Sequence, residues 1–165
     1  HKEYRRQRQM CIRDRPSDAQ GQVLLNMETL WQQAYPSECV IVRPTGIYGT
    51  SVSRMIKLAG TTKAYPRLHW SNRIHVEDLA AFLVHLLHVE HAEKSYICSN
   101  SQPLPLHEII QWFQQQLGFP ALVLESNMPS GKQIYATRMQ QMNFELQHPH
   151  CFDDYLALLA ERESK

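Results

Sequence analysis

Nine histidines, four cysteines and sixteen acidic residues give the chain many groups able to move protons or hold metal ions. His85, His88 and His91 recur at i, i+3 and i+6 in a helical stretch. The first two could meet one ion, but the third drifts around the helix and no carboxylate-rich segment points at them. His148-Pro149-His150-Cys151 holds three donor residues in four positions without a second ligand pair. Neither set is closed, so no metal is expected. Ser130-Gly131-Lys132 resembles the end of a phosphate-binding loop, yet Gln133 follows the lysine and the full G-x-x-x-x-G-K-[ST] is absent; a turn is expected. There is no G-x-S-x-G elbow for a serine nucleophile. The six glycines nowhere form the G-x-G-x-x-G or G-x-x-G-x-x-G turn that cradles a dinucleotide. Among the remaining polar residues, Arg73 is a fixed cation able to grip a phosphate or carboxylate with two parallel hydrogen bonds. His75 is readable as a structural histidine that hydrogen-bonds a backbone group and fixes its loop. Asp78 is placed to cap or orient the helix beside it.

The elements that must position these groups follow from periodicity. Ser17 or Asp18 can cap a helix running to about Ala34, with Val23, Leu24, Met27, Leu30 and Trp31 at helical spacing. Cys39 to Arg43 is a continuous apolar run closed by Pro44 and reads as a strand of a covered parallel sheet. Thr45 to Gly49 is expected as the loop leaving it. A short helix is expected over Ser53 to Ala59, then a loop from Gly60 to Asn72 and an extended Arg73 to Val76. The next helix runs from Val76 or Glu77 to His88, with Leu79, Ala80, Leu83, Val84 and Leu87 as its apolar stripe. Ser95 to Cys98 reads as a strand. Leu106 to Leu117 reads as a helix with Ile109, Ile110, Phe113 and Leu117 inward, stopped by Gly118 and Pro120. Ala121 to Leu124 reads as a strand, and further helices are expected near Ala136 to Met142 and Phe152 to Glu161. Strands alternating with helices make this an α/β chain with a parallel sheet.

Two segments carry a family resemblance. Arg43-Pro44-Thr45-Gly46-Ile47-Tyr48-Gly49 resembles the R-P-x-x-V-Y-G turn after the sixth strand of extended short-chain dehydrogenase/reductases. Asn72-Arg73-Ile74-His75-Val76-Glu77-Asp78-Leu79-Ala80 resembles their x-x-I-H-V-x-D-L-A segment. The interval between the two is shorter than in typical sugar epimerases, which is similar to compact, atypical members of the NAD-dependent epimerase/dehydratase family. The resemblance covers roughly Ser17 to Leu159. It implies a partial Rossmann-like parallel sheet with a small C-terminal α/β substrate lobe, the N-terminal dinucleotide-binding half missing. It implies NAD or NADP for the whole protein, with the backbone of Pro44, Thr45 and Gly46 at the nicotinamide end. It implies that Asn72, Arg73 and His75 face a small-molecule substrate, a nucleotide sugar being one candidate. Family epimerases place an arginine at the register of Ser71, two residues before Arg73.

Family catalysis depends on Tyr-x-x-x-Lys, whose four-residue spacing sets both side chains on one helix face. The lysine lowers the phenol's pKa so that it can exchange a proton while the nicotinamide exchanges hydride. Here Gln20 takes the tyrosine register and Leu24 the lysine register, and no Tyr-x-x-x-Lys occurs elsewhere. The catalytic residue is therefore not identifiable from the motif. The protein either uses another acid/base or binds a nucleotide without the redox step.

Composition sets outer bounds. With 165 residues, 43% hydrophobic and 20% charged, the chain suits one globular domain. Its longest apolar stretch, Leu79 to Leu87, is broken by His85 and is far short of the ~20 residues of a membrane span. Scattered cysteines and the lack of a secretory signal lead to the expectation of a reduced, cytoplasmic protein. The net charge of +1 hides a split: residues 1 to 15 hold six Lys or Arg and two acids, leaving 11 basic and 14 acidic residues in the rest. Such an arm could bind nucleic acid. However, Met10 to Arg15 can be encoded by ATG TGT ATA AGA GAC AGN, a string resembling the transposon end used to tag sequencing libraries. Residues 1 to 15 are accordingly expected to be a non-native basic segment. Residues 16 to 165 are the portion to interpret, with no nucleic-acid and no membrane partner expected.

Overall fold

The computed structural model describes residues 19–163. In chain order these form α1 (Ala19–Ala34), β1 (Ile41–Pro44), β2 (Gly46–Tyr48), α2 (Ser53–Thr61), β3 (Ala64–Tyr65) and β4 (His69–Ser71). There follow β5 (Arg73–His75), α3 (Val76–Leu86), β6 (Ser95–Cys98), β7 (Leu104–Pro105) and α4 (Leu106–Gln116). The chain continues with β8 (Val123–Leu124), β9 (Ser130–Gly131), α5 (Thr137–Gln141) and α6 (Cys151–Glu163). The described residues divide into two compact units, 19–43 with 89–96, and 44–88 with 97–163. The basic segment 1 to 15 and the expected cap at Ser17 or Asp18 lie outside the described residues.

The first unit is built on α1, and β1 pairs with β6. Tyr35 N–H closes the last turn on the Trp31 carbonyl at 2.9 Å, and the Cys39 N–H returns to the Tyr35 carbonyl at 3.0 Å. That turn uses up Cys39, so the strand starts at Ile41 rather than at Cys39. Arg43 grips Glu28 of α1 with a forked pair of hydrogen bonds. The apolar face expected on α1 is there, but it is uncovered: Val23, Leu24, Met27, Leu30 and Trp31 are 50% to 64% exposed.

The second unit holds the core. Tyr48 and Val52 meet Ala59 of α2, Ile109 and Phe113 of α4, and Cys151, Tyr155 and Leu159 of α6. The four-residue steps 109–113 and 151–155–159 put one row of each helix inward. Leu117 packs at the edge of this cluster, and Gly118 ends the helix in the left-handed region at φ +68°. Gln114 is 1% exposed yet fully partnered. Its amide donates to the carbonyls of Ala59 at 3.0 Å and Thr62 at 2.8 Å, and accepts from Leu122 N–H at 2.8 Å. One buried amide thus ties the end of α2 to the segment after α4.

Several expectations need correction. Thr45 to Gly49 is not a simple loop, because Gly46–Tyr48 forms β2 and pairs with β5. The expected loop from Gly60 to Asn72 contains β3, paired parallel with β8, and β4, flanked by β9 (parallel) and β7 (antiparallel). These two- and three-residue strands carry no pattern of their own; their pairing comes from distant partners. On α3 the apolar stripe faces outward, with Leu83, Val84 and Leu87 being 44%, 56% and 83% exposed. The inward residues are Asp78 and Phe82, the latter edge to face with Phe144 at 5.2 Å. Among the described residues no helix is long and apolar enough to cross a membrane.

Candidate functional site

Pairing of β2 with β5 brings together the two segments singled out in the sequence. They run parallel in the register Gly46 to Arg73, Ile47 to Ile74 and Tyr48 to His75. Gly46 N–H donates to the Asn72 carbonyl at 3.0 Å, and a Cβ at residue 46 would stand 3.0 Å from the same oxygen. The close approach favours glycine there. Thr45 donates to the Cys98 carbonyl from both N–H (2.9 Å) and Oγ1 (3.1 Å). Pro44 and Gly46 are exposed, Thr45 half-buried. The stretch after β6, Ser99-Asn100-Ser101-Gln102, completes this edge: Asn100 N–H donates to the Arg73 carbonyl at 2.8 Å. Sequence reasoning passed over it, although a Ser/Asn run after an apolar strand is a turn signal.

The three expected substrate residues have different surroundings. The Asn72 amide donates to the Lys132 carbonyl at 2.8 Å and accepts from Ile134 N–H at 2.7 Å, so it braces the segment after β9. Arg73 is half-buried, with its Cζ 6.0 Å from the centre of the Tyr155 ring. Its Nε is buried and has no hydrogen-bond partner among the described residues. His75 is 5% exposed and caps α3, its Nδ1 accepting from Glu77 N–H at 3.3 Å. The capping role expected of Asp78 belongs to His75. Asp78, 1% exposed, instead accepts from the N–H groups of Gln147 (2.8 Å) and His148 (3.1 Å).

Those two bonds deliver His148 to the site. Its ring lies on His75 with centroids 3.6 Å apart and planes at 19°. Its Nδ1 meets Asp154 Oδ1 at 2.6 Å and its Nε2 meets Glu77 Oε2 at 3.2 Å. Tyr48 donates its hydroxyl to Asp154 Oδ2 at 2.6 Å and sets its ring edge against His75 at 5.1 Å. Burial, followed by the bond to Asp154, drives the Tyr48 phenol far above its ordinary value. Burial and the neighbouring His148 charge lower the pKa of His75, against partial opposition from Asp154, Glu77 and Asp78. For His148 burial opposes charging, but the bonds to Asp154 and Glu77 outweigh it and its pKa is raised. The stack therefore pairs an imidazole that resists a proton with one that holds it.

His75, Glu77 and His148 bring ligand atoms within 4.8 Å of one another. The rings are nevertheless stacked, so their lone pairs lie in two near-parallel planes and no single ion can sit in both. His75 Nδ1 is engaged by the helix, and both nitrogens of His148 are engaged by carboxylates. The arrangement suits a protonated His148 held between two carboxylates better than a coordinated metal. The four residues from His148 to Cys151 do not converge either: His150 Nδ1 meets Gln102 Oε1 at 3.0 Å and Cys151 is in the core. In α3, His85 packs against Phe144 at 5.6 Å, while His88 bonds the Val84 carbonyl at 2.9 Å.

No protein-family model and no curated protein matches the chain. Solved structures do. A Methylobacillus flagellatus protein described as an NAD-dependent epimerase/dehydratase is 32% identical with a TM-score of 0.77, over 89% of this chain and 55% of that one. The mixed α/β fold, with its small parallel sheets, matches the C-terminal portion of a Rossmann-like epimerase/dehydratase. dTDP-glucose 4,6-dehydratase from Bacillus anthracis, in complex with NAD, matches at 14% identity and TM-score 0.66, over 90% of this chain and 54% of that one. ADP-L-glycero-D-manno-heptose-6-epimerase from Helicobacter pylori matches at 16% identity and TM-score 0.60, over 86% of this chain and 50% of that one. The last two likenesses are of fold alone. The chain spans about half the length of these structures, 55%, 54% and 50%.

Proposed function

We propose that this chain is the substrate-side portion of an NAD-dependent epimerase/dehydratase that acts on a small polar metabolite, with a nucleotide sugar as the favoured class. The observation that carries the reading is the parallel pairing of β2 with β5, which sets the exposed Pro44–Gly46 edge beside Arg73. Open α/β sheets bind ligands at such carboxyl edges. Pro44, Thr45 and Gly46 would line the nicotinamide end of NAD; two of them are exposed and one has no Cβ to obstruct it. When bound, NAD supplies a reversible hydride acceptor. Arg73 would hold a phosphate or carboxylate of the substrate, since its half-buried guanidinium is a fixed cation beside the exposed Gly46. Asn72 would support this by fixing the 132–134 backbone. His75, buried and capping α3, would hold the β5–α3 junction that carries Arg73.

A second reading, a nucleotide-binding protein without catalysis, draws on Gln20 and Leu24, which stand where the resemblance calls for a tyrosine and a lysine. The deciding experiment incubates the complete protein, as its gene encodes it, with NAD and a panel of nucleotide sugars, following nicotinamide absorbance and sugar NMR. An epimerised or dehydrated product supports the first reading. Saturable sugar-nucleotide binding without turnover supports the second. Absence of both binding and turnover removes both. Arg73→Ala is expected to raise KM about tenfold or more, the loss of a charged hydrogen bond of roughly 1.5–3 kcal/mol.

A further inference from the structure

The histidine stack does something that neither reading of the site requires. His148 is fastened on every side. Asp154 from the first turn of α6 holds its Nδ1, and Glu77 from the first turn of α3 holds its Nε2. Its backbone N–H is held by the buried Asp78, and its ring face by His75. Only the doubly protonated imidazolium can donate to both carboxylates at once. Only a neutral His75 can lie flat on that cation without repelling it, and only a neutral His75 keeps an Nδ1 lone pair for the Glu77 N–H.

We propose that His75 and His148 together form a proton-operated latch, closed when His148 carries a proton and His75 does not, which fastens residues 146–151 and the start of α6 to the β5–α3 junction. The charged and titratable groups facing the pair are Tyr48 on β2, Glu77 and Asp78 on α3, and Asp154 on α6. Tyr48 stays protonated and donates to Asp154, leaving the other Asp154 oxygen for His148.

The latch has two limbs. The folded pKa of His148 is raised, so its contribution is full below the unfolded value of ~6.5 and is lost as pH rises through the folded pKa. The folded pKa of His75 is lowered, so its contribution is full above ~6.5 and is lost as pH falls through the folded pKa. Closure is therefore bell-shaped in pH, with its maximum near ~6.5. Each limb falls by no more than about tenfold per pH unit, the slope of a single proton. A plain salt bridge would give one limb, and a hydrophobic contact none.

The test uses the complete protein, as its gene encodes it. Histidine-selective NMR titration should place the His148 midpoint above that of His75, on opposite sides of ~6.5. Hydrogen-exchange protection of residues 146–151, corrected for intrinsic exchange, should peak between the two midpoints. His148→Gln should abolish the alkaline limb. His75→Asn, which keeps an acceptor for the helix cap, should abolish the acid limb. Glu77→Gln, at an exposed position, should only move the His148 midpoint downward, and it serves if His148→Gln does not fold. Protection that stays flat from about pH 5 to pH 8 overturns the latch. So does a His75 midpoint above that of His148, or an alkaline limb that survives in His148→Gln.

Discussion

Tyr48 and His75 stand opposite each other in the parallel pairing of β2 with β5, their rings edge to face at 5.1 Å. The register that joins the two sequence segments also delivers the Tyr48 hydroxyl to Asp154 at 2.6 Å. Tyr48→Phe keeps the ring contacts with His75 and Tyr155 and removes that bond together with the long 3.5 Å contact of the hydroxyl with the His148 carbonyl. A loss of about 1.5–3 kcal/mol is expected, the range for a hydrogen bond to a charged group. Urea unfolding checks it: the midpoint should fall with the slope unchanged. An unchanged midpoint would show that the bond contributes nothing net.

Gly49 and Gly118 share a positive φ but not an environment. Gly49 lies at φ +113°, and a Cβ there would meet His75 Nε2 at 2.2 Å. Gly118 lies at φ +68° with nothing within 4 Å of the same position. Gly118→Ala should cost only the left-handed penalty of roughly 1–2 kcal/mol. Gly49→Ala should cost more and displace the His75 ring. Thermal melts rank the two, and the His75 NMR signal should move only in the first-named position, Gly49.

Gln114 should be among the least replaceable residues of the core. Gln114→Leu preserves approximate volume but removes the amide partner of two carbonyls and one N–H. At ~1–3 kcal/mol for each buried group left unpaired, a loss of about 3 kcal/mol or more is expected. Denaturant midpoints of Gln114→Leu and of the exposed-site control Gln115→Leu should differ by that amount.

Thiol reactivity should follow burial. Cys98 is 0% exposed and burial pushes its thiol up to about 12; Cys151 is 2% exposed, and burial pushes its thiol up to about 11. Both should resist alkylation in the native protein, since the thiolate is the nucleophile. Among the three described cysteines, Cys39, half-buried, should label first. Mass spectrometry of labelled peptides with and without denaturant distinguishes them. Rapid native labelling of Cys98 would contradict the packing of β6.

What could be read from the sequence was local. The inward face of α4 is Ile109, Ile110 and Phe113 as their spacing requires, because backbone geometry places i, i+3 and i+4 on one side whatever the rest of the chain does. Ser95 to Cys98 is a strand over the expected residues. On α3 the same reasoning selected the wrong face. Periodicity marks which residues share a side, but the partner decides which side is covered, and Asp78 can be buried only because two distant backbone N–H groups come to meet it.

By itself the sequence determined the helix periods, the longer helices with the Ser95–Cys98 strand between them, and the two segments that resemble the epimerase/dehydratase pattern. Tertiary structure alone decided that those segments lie side by side, and that His148 joins Glu77 across 71 residues and settles on His75. The difference has a physical cause. Helix geometry is imposed by hydrogen bonds four residues apart. A cluster drawn from two strands, two helices and a loop exists only after the whole chain has closed on itself, and no short window of residues encodes that closure.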